Sequence, residues 1–239
     1  SPVGLWQLSG TLADSSGNGY DLSLSAGSTL YAPIAPGMLG FAFNGSTLIR
    51  TALSPANLIL TGAMTVEMLV TPWRLGSSDQ YILSLGGAGE SYQTNYLYST
   101  LLTANTNGIS YLCESGSAGA NVRFDTSGSL LVGAAPVHLA MVRDSTHQVK
   151  FYLNGEQVSS GSSGLANTSF APAYSGRLNL GAADDGSLSF IGTLASVKVI
   201  ASALTPAQVW REFDYTLGPM YGTTTSLPWV DGGGKLRTS

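Results

Sequence analysis

At 239 residues, the chain has room for one large β domain with an appendage or for two small domains. Only 10% of its residues are charged, against roughly a quarter in an ordinary globular protein, yet 44% are hydrophobic, enough to build a core and to exclude wholesale disorder. A net charge of −4, with Lys and Arg together numbering 10, leaves no basic field for a phosphate backbone, so nucleic acid is excluded as a partner. No run approaches the ~18–20 apolar residues of a spanning helix, so membrane insertion is not expected. Ser1–Gly10 lacks a basic segment leading into an apolar one, so no secretory leader is read there. The single cysteine, Cys113, excludes an intrachain disulfide and is expected to be a buried thiol.

Taken in chain order, the elements are those of a β protein. Met64, Val66, Met68 and Val70 alternate with Thr65, Glu67 and Leu69, the period of a half-buried strand. That pattern puts Glu67 on a solvent face. Asn107-Gly108 marks a hairpin between Tyr96–Leu102 and Ile109–Cys113. Val137–Arg143 reads as a strand containing His138, expected to be structural. After a turn at Asp144–Gln148, the strand Val149–Leu153 runs into Asn154-Gly155, whose two residues suit the positive φ angles of a type I′ turn. Arg177–Leu180 and Leu194–Ile200 are further strands, and the spacing of turn residues predicts about ten to twelve in all, an all-β antiparallel two-sheet sandwich. One short helix is expected near the C-terminus, over Thr205–Phe213. Thr205 caps it, Pro206 takes the first turn and Gln208 completes a capping box. Beyond Tyr215 the pattern dissolves into Gly, Pro and Thr.

Several segments, in this order, resemble the laminin-G-like jelly rolls of the concanavalin A-like lectin/glucanase superfamily. They are Leu5-Trp6, Asp14-Ser15-Ser16-Gly17-Asn18-Gly19, Phe41-Ala42-Phe43-Asn44-Gly45, Met64–Val70, His138–Arg143 with Phe151–Gly155, Leu178–Gly181, Phe190-Ile191-Gly192 and Leu204–Val209. The resemblance implies a concanavalin A-like jelly roll over residues 1–215, with 216–239 left as an extended tail. It also implies calcium as a candidate ion beside the Asp14–Gly19 turn. Asp14 and Asn18 would supply two ligands, and Asp184-Asp185 would approach from another loop. The alternative is a turn that only binds its own backbone. The acidic pair that such domains usually carry after the Phe-x-Gly segment is replaced by Ala195 and Ser196.

No catalytic residues are assigned. Paired carboxylates on one strand face, a nucleophile elbow and a phosphate loop are all missing, and two histidines do not make a zinc site without acidic partners. The chain is therefore expected not to be an enzyme. Tyr92, Tyr96, Tyr98 and Tyr111, with Gln93 and Asn95, gather around one predicted hairpin. Three readings stand for them: sheet packing, a protein interface, or a platform for sugar rings. In the tail, Tyr221 and Trp229 are expected to anchor Thr216–Ser239 on another subunit of a large assembly. The functional expectation is a component of a viral particle, such as a phage capsid decoration or tail protein, located in the virion. The alternative is an extracellular carbohydrate-binding module that reaches surface glycans.

Overall fold

A computed structural model describes residues 1–52, 58, 62–75, 79–86, 98–105, 108–115, 122–125, 136–146, 148–162, 177–217, 229–230 and 236–237. The strands are, in chain order, β1 (Gly4–Gln7), β2 (Ser23–Ala26), β3 (Tyr31–Ala35), β4 (Met38–Asn44) and β5 (Leu48–Arg50). Next come β6 (Met64–Pro72), β7 (Gln80–Gly86), β8 (Tyr98–Asn105), β9 (Gly108–Ser115) and β10 (Val122–Asp125). The last of the sandwich are β11 (Val137–Arg143), β12 (Gln148–Leu153), β13 (Glu156–Ser162), β14 (Arg177–Leu180) and β15 (Ile191–Ile200). The helix α1 (Pro206–Leu217) follows, then β16 (Trp229–Val230) and β17 (Leu236–Arg237).

Fifteen of these strands make two sheets. An eight-stranded sheet runs β13-β12-β11-β6-β15-β4-β3, with β1 also on β15, and a seven-stranded sheet runs β10-β9-β8-β7-β14-β5-β2. Neighbouring strands within these sheets pair antiparallel. The strand number exceeds the expected ten to twelve because β2, β3 and β5 are only four, five and three residues long, too short to show a period. Between the sheets lies one core, built from the inward positions of alternating strands. Val66 and Met68 of β6, Leu139 and Met141 of β11, Leu178 and Leu180 of β14 all belong to it, together with Trp6, Phe41 and Phe43.

Two glycines are required by this packing. Asn154 (φ 51°) and Gly155 (φ 80°) both take positive φ, as the type I′ reading demands, and join β12 to β13. A Cβ on Gly155 would sit 2.5 Å from the Trp210 ring of α1, so the turn tucks under the helix only as glycine. Gly181 (φ 88°) follows β14, and a Cβ there would meet the Phe43 ring at 2.0 Å.

The helix is capped as its sequence predicts. Gln208 N–H donates to Thr205 Oγ1 at 3.3 Å, and Thr205 N–H donates to Gln208 Oε1 at 2.8 Å. It runs four residues past the expected end at Phe213 and past the boundary placed at 215. The reason is the stripe Val209, Phe213, Leu217, spaced by four, which lays one face of α1 on the eight-stranded sheet. Val209 packs with Ala140, Val142 and Tyr152, and Leu217 with Ile34, Leu69 and Ala195. Leu217 is fully buried, so the helix keeps contributing to the packing past Tyr215.

Candidate ligand-binding face

The eight-stranded sheet was expected to show water a polar face containing Glu67. Instead all nine residues of β6 are buried, and Glu67 is 3% exposed. Alternation was read correctly, but α1, from the far end of the chain, covers the face that alternation turns outward. Glu67 stands in register between Ala140 of β11 and Lys198 of β15. Lys198 Nζ lies 3.4 Å from Glu67 Oε2 and donates a short hydrogen bond to Glu212 Oε2 on α1. His138 Nε2 lies 3.7 Å from Glu67 Oε1, beyond hydrogen-bonding distance.

Burial pushes the Glu67 carboxyl up to about 7 against the pull of Lys198, and the charge on Glu212 adds to the rise. Burial pushes the His138 imidazole down to about 4, with Lys198 contributing. Near pH 5.5 both groups are therefore neutral and are not an ion pair. Burial also opposes the charge on Lys198, but Glu212 and Glu67 hold its ammonium above the ordinary value. A groove of about 490 Å³ opens beside α1, lined by residues that include Gln7, Met38, Lys198, Glu212 and Tyr215. Glu67 does not line it, and both of its oxygens are sealed from solvent. Glu67 and Glu212 thus do not face one cleft as a pair of glycosidic carboxylates would. The cluster ties the helix to the sheet. Arg143, also buried, does similar work elsewhere by donating Nε and Nη2 to the Gly62 carbonyl at 3.0 and 2.8 Å.

The seven-stranded sheet is different. Leu178 and Leu180 of β14 and Ile49 of β5 enter the core, so Arg177, Asn179 and Arg50 take the opposite face. Asn179 is in register with Arg50 on one side and Ser84 on the other, and Arg50 with Ser23. A polar row, Ser23–Arg50–Asn179–Ser84, therefore crosses four strands. Asn179 Nδ2 donates to Ser84 Oγ at 3.1 Å, while its Oδ1 is buried with no donor among the described residues. Arg50 Nη1 reaches Asp184 Oδ1 at 3.4 Å. Arg177 Nε is also buried without an acceptor among the described residues. Both guanidinium side chains line a pocket of about 270 Å³ with Ser23, Ser25 and Thr51. No helix among the described residues lies over this face. Neither arginine was singled out from the sequence. They are 127 positions apart, and the only clue is that each interrupts an apolar alternation, in Leu48-Ile49-Arg50 and in Arg177-Leu178-Asn179.

The candidates read from the sequence lie elsewhere, where the structure describes them. Asp14 Oδ1 accepts the N–H groups of Leu5 (3.0 Å) and Ser16 (2.9 Å), and Oδ2 accepts Ser16 Oγ (2.8 Å) and Tyr20 N–H (3.0 Å). Burial works against this carboxylate, but the backbone donors of Ser16, Tyr20 and Leu5 outweigh it and hold the group below its ordinary value. Asn18 Nδ2 donates to the Val3 carbonyl and to Ser16 Oγ, each at 3.1 Å. This set does not fit calcium. Both Asp14 oxygens are taken by donors, Asp184 is on Arg50, and no group of three or more metal-ligating His, Cys, Asp or Glu occurs among the described residues.

Tyr98 opens β8 and pairs with Ser115. Tyr111 in β9 belongs to a register row that passes through Leu102 and Leu83 to Leu180, the last two in the core. Tyr92, Tyr96 and Tyr221 lie outside the described residues. Trp229 is in β16, a two-residue strand paired with β17, where Trp229 stands opposite Arg237.

A family model described as the concanavalin A-like lectin/glucanase superfamily matches residues 43–210. No curated protein matches the sequence. Among solved structures, the chain is similar to domain 4 of AbnA, a GH43 extracellular arabinanase from Geobacillus stearothermophilus, in complex with arabinotriose. The TM-score is 0.66 at 20% identity, covering 88% of this chain and 97% of that one. It is also similar to the NanB sialidase from Streptococcus pneumoniae (TM-score 0.58, 21% identity, 72% of this chain and 27% of that one). A third is a botulinum neurotoxin serotype D/C binding domain (TM-score 0.66, 11% identity, 90% of this chain and 52% of that one). The chain thus spans nearly all of the arabinanase domain, about a quarter of the sialidase chain and about half of the neurotoxin binding domain.

Proposed function

Because the chain belongs to the concanavalin A-like lectin/glucanase superfamily, we propose that it is a non-catalytic carbohydrate-binding domain that receives saccharide on the outer face of its seven-stranded sheet. The observation that carries this reading is the pocket lined by Arg50, Arg177, Ser23 and Ser25, at the edge of a polar row whose inner members, Asn179 and Ser84, are buried, on the face that α1 does not cover. Sugar recognition needs donors and acceptors fixed before the ligand arrives, so that little side-chain entropy is lost on binding. Adjacent strands supply that fixity, and Ser84 Oγ anchors the Asn179 amide. Support also comes from the AbnA domain, which matches this chain almost end to end and was solved with a saccharide bound. The reading as a particle component draws on the jelly-roll resemblance and the low charge, and no contact among the described residues adds to it.

The test is a glycan array followed by calorimetry with the purified chain. Specific binding to at least one saccharide class is expected, weakened by Arg50→Gln, with the oligosaccharide recovered intact after incubation. Failure to bind any saccharide at millimolar concentration overturns the binding role, and release of new reducing ends overturns the non-catalytic one.

A further inference from the structure

Resting on that reading, we propose that Arg50 and Arg177 together bind the carboxylate of an acidic saccharide. Arg50 and Arg177 line one pocket, and no carboxylate is paired with Arg177 among the described residues. Arg50 is engaged through Nη1 alone in the contacts recorded among the described residues, at 3.4 Å to Asp184 Oδ1 and 3.5 Å to the Asp184 carbonyl. The arginine forks thus keep donors to spare, and a planar carboxylate is the acceptor that matches two N–H groups at once.

Of the two charges, only that of Arg50 has a carboxylate partner among the described residues. Residues 22–31, 51–57 and 163–176, which lead into or out of β2, β5 and β14, contain no Asp or Glu. Asp184 is the one carboxylate recorded on either arginine among the described residues. In a chain of net charge −4, this is a local concentration of positive charge on an otherwise acidic protein. The second half of the ligand follows from Ser23 and Ser25, whose exposed hydroxyls line the same pocket. A hydroxyl next to a carboxylate would supply what these residues want, and that pairing is the chemistry of a sugar acid rather than of a bare anion. At about 270 Å³, the pocket suits a single ring.

The experiment titrates wild-type protein and Arg177→Gln with methyl glycosides of glucuronic acid and of N-acetylneuraminic acid. Each is compared with its own methyl ester, which keeps the shape and removes the charge, and with inorganic sulfate. At least one free acid is expected to bind about tenfold or more tightly than its ester. Arg177→Gln should erase that difference without lowering the melting temperature, and Asp184→Asn should enlarge it by releasing Arg50. Equal affinity for acid and ester, or neutral glycans binding where no acid does, overturns the proposal and leaves the carbohydrate reading standing. Sulfate binding as tightly as the best sugar acid reduces the pocket to a general anion site and overturns it too. If no saccharide of either kind binds, the carbohydrate reading itself has failed.

Discussion

The two sheets carry opposite kinds of outer face, and the difference lies in where charge ends up. On the eight-stranded sheet, Glu67 and His138 are each about 3% exposed, and Lys198 joins Glu67 to Glu212 of the helix above. On the seven-stranded sheet, the Arg50 side chain is 25% exposed, and both arginines line an open pocket. Charges whose partners all come from inside the fold hold a helix in place. Charges left with spare donors at a surface are available to something that arrives from outside.

The comparison breaks first if stability and binding do not separate between the faces. Leu217→Ala removes a fully buried anchor of α1 and should cost about 2–4 kcal/mol. For a domain of this size that is a fall in melting temperature of roughly 5–15 °C. Arg177→Gln should cost less than about 1 kcal/mol, since it breaks no recorded ion pair. Thermal unfolding of both variants, beside saccharide titration, checks the ordering. A stable Leu217→Ala protein, or an unstable Arg177→Gln one, would contradict it. A chain truncated after Leu217 should keep the wild-type melting temperature, whereas one truncated before Thr216 should not.

The buried cluster gives a second, smaller signature in pH. Glu67 has its folded pKa raised from 4.5 to about 7, so the folded state holds a proton that the unfolded state gives up, and stability falls as pH rises from 4.5 to 7. His138 has its folded pKa lowered from 6.5 to about 4, so the unfolded state holds the extra proton and stability rises from pH 4 to 6.5. Between 4.5 and 6.5 the two slopes oppose each other, each near 1.4 kcal/mol per pH unit, and their contributions nearly cancel. His138→Gln should expose the falling slope and Glu67→Gln the rising one, in urea midpoints taken from pH 4 to 7. The same slope in both variants would show that these groups do not titrate as their burial requires. The solvent-face reading of Glu67 predicted instead that Glu67→Gln would change nothing.

That misreading shows what a sequence of this kind hides. Val137–Arg143 matches β11 residue for residue, and the Asn154-Gly155 turn and the Thr205 cap were equally plain, because periodicity, turn chemistry and capping act within a few residues. Glu67 and Val209 lie 142 positions apart, and no local pattern says that the helix bearing Val209 will roof the strand bearing Glu67. Arg50 and Arg177 were invisible for the same reason. Only the antiparallel pairing of β5 with β14 makes them neighbours. The short strands left the interior of the sandwich legible and its surfaces illegible.

The smallest effect expected is the one that calcium should have. A calcium site of about 10⁻⁴ M affinity would stabilise the fold by roughly 1.4 kcal/mol at about 1 mM calcium, a rise of several degrees in melting temperature. Binding at the Asp14 turn would first have to strip Leu5, Ser16 and Tyr20 from a carboxylate they already occupy. Calcium and chelator should therefore leave the melting temperature within about 1 °C of each other. Acid, by contrast, should loosen this loop. Asp14 has its pKa held below the ordinary 3.8, so its contribution to stability is present above that value and lost as pH falls through the lower, folded one. Amide exchange at Ser16 and Tyr20 reports the loss directly. It should quicken below pH 4, relative to other turns at the same pH, and be indifferent to calcium above it. Protection of these amides that rises with calcium would mean that the turn opens to hold an ion, and the open arginine face would then no longer be the main site for a charged ligand.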